Sequence, residues 1–226
     1  MRRWYMKSVV LDFSNKNISD KSILKYLPLN DPSIIELDLS DNELTQIKFI
    51  QNFPQIEILN LSGNNLSSKT DLKTLNKLEN LSELYLRQNQ IPSIAFLKNS
   101  RLKILDLTEI GLKSIKGIGQ LSSLEELYLT SNSISDISEL KNLRNLKILS
   151  ISDTKVDDLT VLTELPKLRE VNLTDLEDLT PSSLRVLNGS SSIEKIYTDS
   201  HLRYTTQSIE YNIRTKNNKE ACIVGY

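Results

Sequence analysis

Apolar residues along this chain fall into a fixed frame. Residues 34–44 read Ile-Ile-Glu-Leu-Asp-Leu-Ser-Asp-Asn-Glu-Leu, and residues 124–134 read Leu-Glu-Glu-Leu-Tyr-Leu-Thr-Ser-Asn-Ser-Ile. Both fit L-x-x-L-x-L-x-x-N-x-L, with Ile exchanging for Leu. The frame recurs around Leu59, Leu84, Leu105, Leu149 and Val171, with weaker copies at Leu11 and Ile196. Successive copies are 26, 22, 25, 21, 22, 22, 22 and 25 residues apart. Inside the frame the chain alternates, with Leu127 inward, Tyr128 outward and Leu129 inward, which is the period of a strand. Beyond it the apolar period becomes three, through Ile134, Ile137, Leu140, Leu143 and Leu146. That spacing predicts 3₁₀-like turns rather than α-helix, whose inward face repeats every 3.6 residues. Each unit is thus one coil: a short strand, a turn and a 3₁₀-rich return.

The repeated frame resembles leucine-rich repeats, and the resemblance covers about residues 8–198. It predicts an α/β solenoid: a right-handed superhelix with a concave parallel β-sheet and convex 3₁₀ turns or short helices. Residues 1–198 are expected to form the solenoid, with about eight to nine repeats, and residues 199–226 a polar C-terminal cap or tail with a possible β-hairpin. The 22-residue form is similar to two groups, the protein phosphatase 1 regulatory subunit class and the bacterial internalins. Both are binding scaffolds. The chain lacks the C-terminal cap motif of the phosphatase regulators.

The Asn of the frame has a physical task. At a buried turn its amide can bond backbone groups of its own and the neighbouring coil. The column reads Lys16, Asn42, Asn64, Asn89, Ile110, Asn132, Thr154 and Leu176, so Ile110 and Leu176 depart from it. Two repeats carry insertions. Ser19 or Asp20 is placed to cap a short α-helix over roughly 21–26, and Asp71 to cap a longer helical turn. Near the end, Thr205–Thr215 alternates loosely and Ala221–Val224 is apolar, which predicts a β-hairpin across Lys216–Lys219. A disordered tail is the competing reading. At the other end Trp4 and Tyr5 are expected to cover the core, and Arg2, Arg3 and Lys7 to be solvated.

Composition removes most site chemistry. Of 226 residues, 39 are Leu and 23 are Ile, while Ala occurs only at Ala95 and Ala221, which argues against an ordinary helical bundle. With 28 basic and 29 acidic side chains the net charge is −1, so neither nucleic acid nor an anionic membrane is indicated as a partner. One His, His201, and one Cys, Cys222, cannot form the usual zinc site or a disulfide. No metal, cofactor or membrane span is expected. The absence of a signal-like apolar run and of paired Cys suggests a cytoplasmic or nuclear protein. Six Asn-x-Ser/Thr tripeptides, at Asn17, Asn60, Asn65, Asn80, Asn172 and Asn188, are read as chance occurrences in a chain rich in Ser and Asn.

What remains for function is the outward half of the strands. One column reads Glu36, Ile58, Glu83, Ile104, Glu126, Ile148, Glu170 and Lys195. The next reads Asp12, Asp38, Asn60, Tyr85, Asp106, Tyr128, Ser150, Asn172 and Tyr197, with Arg87 one step further along. Tyrosines among polar groups are favoured at protein interfaces. Glu83 and Glu126 are two strands apart, about 10 Å, with Ile104 between them, which does not suit paired-carboxylate catalysis. The sequence therefore predicts a monomeric, non-enzymatic interaction scaffold that binds a protein by its concave face. The expected site comprises Glu36, Asp38, Glu83, Tyr85, Arg87, Asp106, Glu126, Tyr128, Glu170 and Asn172. The resemblance to the phosphatase regulators implies a serine/threonine phosphatase catalytic subunit as partner. The internalin resemblance implies instead a secreted or surface-attached adhesin or effector of a bacterium or parasite.

Overall fold

The computed structural model describes residues 9–28 and 31–216. Nine strands form one sheet: β1 (Val9–Asp12), β2 (Ile34–Asp38), β3 (Ile58–Asn60), β4 (Glu83–Tyr85), β5 (Ile104–Asp106), β6 (Glu126–Tyr128), β7 (Ile148–Ser150), β8 (Glu170–Asn172) and β9 (Lys195–Tyr197). They lie side by side in chain order, and all pairs are parallel. Each of the nine frame positions read from the sequence is the inward residue of a strand. The register is uniform, so Leu37, Leu59, Leu84, Leu105, Leu127, Leu149, Val171 and Ile196 pair in one row.

The return of each coil follows the three-residue spacing. Along one return the N–H of Leu140 bonds the carbonyl of Ile137, Leu143 that of Leu140, and Leu146 that of Leu143. Each bond spans three residues, the 3₁₀ pattern, and turns every third side chain inward. Short 3₁₀ turns accordingly line the convex side, for example Lys48–Asn52, Leu72–Lys77, Ser138–Asn142 and Thr160–Glu164. The Leu and Ile side chains so gathered form one continuous core, with Phe53 wholly buried within it. Burying each aliphatic side chain contributes about 1.5–3 kcal/mol, the main force against the entropy of ordering the coils.

The turn after each of β1–β8 reverses through one left-handed residue. These are Asn15, Asp41, Gly63, Gln88, Glu109, Ser131, Asp153 and Asp175, with φ near +50 to +63°. Only Gly63 among them is the residue type for which that conformation is free of strain. The next position is the Asn column, and it does what the turn requires. Asn64 donates to the carbonyls of Leu39, Leu61 and Ser62, and its Oδ1 accepts the N–H of Leu44 at 2.9 Å. Asn89 and Asn132 repeat the arrangement, and the Thr154 hydroxyl bonds the Ile151 carbonyl. At Ile110 the backbone takes over. The Ile110 carbonyl itself accepts the Ile91 N–H at 2.9 Å, while the chain leaves through Gly111 at φ +79°. Ile110 is fully buried, so apolar contact replaces the amide.

Three local expectations are corrected. Among its described residues the first insertion holds no α-helix, only a 3₁₀ turn, Ile23–Lys25, with no side-chain cap. Asp20 reaches across to the next coil and accepts the N–H groups of Thr45 and Gln46 at 2.9 and 3.1 Å. Asp71 stands at the head of Leu72–Lys77 without a capping bond. A real cap occurs later: Thr180 and Ser183 bond reciprocally around α1 (Pro181–Leu184). The largest difference lies at the end. Residues 205–215 are not a β ribbon but part of α2 (Arg203–Lys216). Leu202, Thr206, Ile209 and Ile213 recur every three or four residues, a helical stripe, and all four are buried. Ile209, Tyr211 and Ile213 also fit an alternating pattern, but Tyr211 faces outward while both isoleucines are buried. The expected second strand at 221–224, Cys222, Trp4, Tyr5, Arg2, Arg3 and Lys7 lie outside the described residues. Among the described residues no helix is long and apolar enough to cross a membrane.

Candidate functional site

The outward side chains of β2–β8 form two straight columns because the register never slips across those strands. Glu36, Ile58, Glu83, Ile104, Glu126, Ile148 and Glu170 are paired neighbours in the first. Asp38, Asn60, Tyr85, Asp106, Tyr128, Ser150 and Asn172 are neighbours in the second. All are half-buried except Ser150, which is buried.

The second column divides into two kinds of residue. Asp38, Asp106 and Asn172 end their strands by closing local turns. The Ser40 N–H and hydroxyl donate to Asp38 Oδ1 at 2.8 and 2.6 Å. The Thr108 N–H donates to Asp106 Oδ1 at 2.8 Å, and the Thr174 N–H to Asn172 Oδ1 at 3.1 Å. These half-buried side chains are therefore structural as well as outward-facing. The tyrosines behave differently. Tyr85 donates its hydroxyl to Glu83 Oε2, and Tyr128 to Glu126 Oε2, each at 2.8 Å. Two residues apart on a strand means the same face, so the bond pins each ring along its own strand. Tyr197 donates instead to Glu170, across the β8–β9 pair, and the Lys195 ammonium lies 4.4 Å from the Tyr197 ring centre.

Partial burial, the bond to Glu126 and the nearby carboxylates push the Tyr128 hydroxyl up to about 12. Tyr85 is pushed up in the same way, by burial first and then by Glu83. Both rings stay neutral donors at ordinary pH. Arg87 is exposed at the edge of the face, beyond Tyr85. Hydroxyls in its column are also paired, Ser152 with Thr174 within the column at 2.7 Å and Thr130 with Ser150 of the second column at 2.8 Å.

The structure thus brings nine of the ten expected residues onto one face and places Arg87 at its rim. The three isoleucines between the glutamates belong with them, because they make the apolar floor of the same column. The Glu–Tyr bonds were missed, although Glu-Leu-Tyr occurs at both 83–85 and 126–128 and its spacing alone signals them. Among the described residues no cluster of three or more His, Cys, Asp or Glu could hold a metal ion. His201 is exposed in the turn before α2.

Comparison with known families agrees with this geometry. The family descriptions "Leucine Rich Repeat" and "Leucine Rich repeats (2 copies)" match residues 55–78 and 100–142. The chain is a leucine-rich repeat protein. A stretch of the chain is 40% identical over 81 residues to human cilia- and flagella-associated protein 410, a match covering 34% of this chain and 30% of that protein. The mouse protein of the same name is 35% identical over 81 residues. The matched part therefore spans about a third of these relatives' length. Among solved structures, an internalin of Listeria monocytogenes superposes with a TM-score of 0.68 at 22% identity, over 80% of this chain and 51% of that one. Internalin C2 of the same organism gives 0.66 at 28% identity, over 74% and 72%. Leucine-rich repeat proteins typically act in protein–protein interaction, and the solenoid here has that architecture.

Proposed function

We propose that this leucine-rich repeat protein is a non-catalytic scaffold that binds a protein partner on the concave face of its sheet. One observation carries the reading: seven strands in unbroken register present a single surface whose two central tyrosines are held in place by their own glutamates. A surface ordered before binding loses little side-chain freedom when a partner arrives. Aromatic side chains with a fixed polar end are also what binding hot spots are made of. In this reading residues 199–216 cap the scaffold and are not a second binding unit. The named setting of the human relative supports a ciliary or other cytoskeletal context. The phosphatase and host-surface partners implied by the sequence resemblance are distinct outcomes of the same experiment.

That experiment is affinity capture from cell extract, comparing the wild-type chain with Tyr85→Ala/Tyr128→Ala. A specific protein retained by the wild type and depleted about tenfold or more by the variant is expected, the scale of losing two hot-spot side chains. Equal recovery by both would overturn the concave-face assignment. Recovery of a phosphatase catalytic subunit, a ciliary or flagellar component or a cell-surface receptor would decide between the settings.

A further inference from the structure

The concave face carries a charge that the composition conceals. The whole chain has a net charge of −1. From β2 to β7, however, the two outward columns hold Glu36, Asp38, Glu83, Asp106 and Glu126, and no lysine or arginine. Among the described residues the ion pair of Lys147 with Glu125 lies off this face. Compensation within the columns begins only at β9, where Lys195 stands beside Glu170. With Arg87 at the rim offsetting one of these five carboxylates, the face still projects a net negative field across β2–β7, and the low-dielectric wall of Ile58, Ile104 and Ile148 concentrates it.

Spacing then selects the shape of what would bind. Glu and Ile alternate with each strand, so the chemistry changes about every 4.8 Å across the sheet. On an α-helix, residues three or four apart share a face and rise about 4.5–6 Å. An extended chain repeats a face only every 6.6–6.8 Å, which falls out of step within three strands. A helix laid across the strands can therefore meet Glu, Ile, Glu and Ile in turn with a basic residue, an aliphatic residue, and the pair again one heptad on. The aliphatic stems of Lys or Arg would pack against Tyr85 and Tyr128, on either side of Asp106.

Building on the concave-face reading, we infer that the occupant is a basic amphipathic α-helix of a partner protein, with Lys or Arg at one heptad position and an aliphatic residue three or four places later. The test is fluorescence anisotropy with two labelled synthetic peptides. The first is a three-heptad helix with Lys and Leu in that pattern and Ala and Gln elsewhere. The second has the same composition, with Lys and Leu alternating at every second residue. The full chain is compared with Glu83→Gln/Glu126→Gln, which removes two charges yet keeps an acceptor for each tyrosine hydroxyl. The helical peptide is expected to bind, to weaken as salt is added, and to lose about tenfold in affinity to the Gln variant, the combined scale of two partly exposed ion pairs. The alternating peptide is expected to bind at least about tenfold more weakly, an order of magnitude that one displaced contact row would cost. No binding of the helical peptide, equal binding of the two peptides, or indifference to the Gln substitutions would overturn the inference. A partner captured from extract, lost by Tyr85→Ala/Tyr128→Ala but kept by the Gln variant, would sink the charge-and-helix inference while leaving the concave site intact.

Discussion

At the scale of single residues, the turn amides hold more of the structure than their number suggests. Asn132 bonds three carbonyls and accepts the Leu112 N–H at 2.9 Å, all at a buried turn. Asn132→Ala strands those groups and should cost about 3 kcal/mol in urea unfolding, since each unmet buried polar group costs roughly 1–3 kcal/mol. The opposite change makes a sharper test. Ile110→Asn would restore the repeat consensus, yet the Ile110 carbonyl already serves Ile91 and the side chain is fully buried. It should destabilise the chain; a gain in stability would contradict the backbone substitution described above. The tyrosines give a pH signature. Their hydroxyls titrate later in the folded state than the ordinary value of 10.0, Tyr128 at about 12. The folded state thus holds protons that the unfolded chain releases, so this contribution to stability is intact below pH 10 and fades as pH rises towards 12. Wild-type stability should fall across that window more steeply than that of Tyr85→Phe/Tyr128→Phe. The amide column was legible in the sequence because Asn recurs at one frame position. The Ile110 solution was not, because a carbonyl standing in for a side chain leaves no mark on residue identity.

At the scale of elements, period decided what could be read. Nine strands and the 3₁₀ returns follow from the two and three of the apolar spacing. Left-handed turn residues follow no such rule, since Asp, Gln, Glu, Ser, Asn and Gly all occupy them. The fold imposes that conformation from outside, through the bonds of the next residue. Ser131, with φ +55°, shows what the constraint costs. Ser131→Val puts a branched side chain in that region and should lose about 1–2 kcal/mol, while Ser131→Gly should be close to neutral in the same thermal melt. Equal stability of the two variants would mean that the turn can relax. The terminal helix was misread for a related reason. Outside the repeat there is no frame to fix the phase, and the short stretch around Tyr211 satisfies both periods; only Leu202 and Thr206, further back, separate them. Of the site, the columns were legible and their internal bonds were not, although the Glu-Leu-Tyr spacing contains them.

At the scale of the whole molecule, each coil touches chiefly its neighbours, so stability is a sum along one axis and an exposed end is its weak point. Here α2 seals one end chemically as well as sterically. Glu210 accepts the Ile196 N–H at 2.7 Å and Arg214 donates to the Glu194 carbonyl at 3.3 Å. Two side chains thus occupy backbone positions on β9 that a tenth strand would otherwise claim. A parallel solenoid has no symmetry that closes it on itself; one copy stacked on the next would repeat the same join without limit. Truncation before Arg203 should therefore yield species that lengthen with protein concentration in sedimentation velocity, whereas the full chain should not change. A truncated chain that stays monomeric, only less stable, would limit α2 to covering the core. On this view α2 is a stop: it blocks the β9 edge, from which an open parallel sheet could otherwise add strand after strand into a filament.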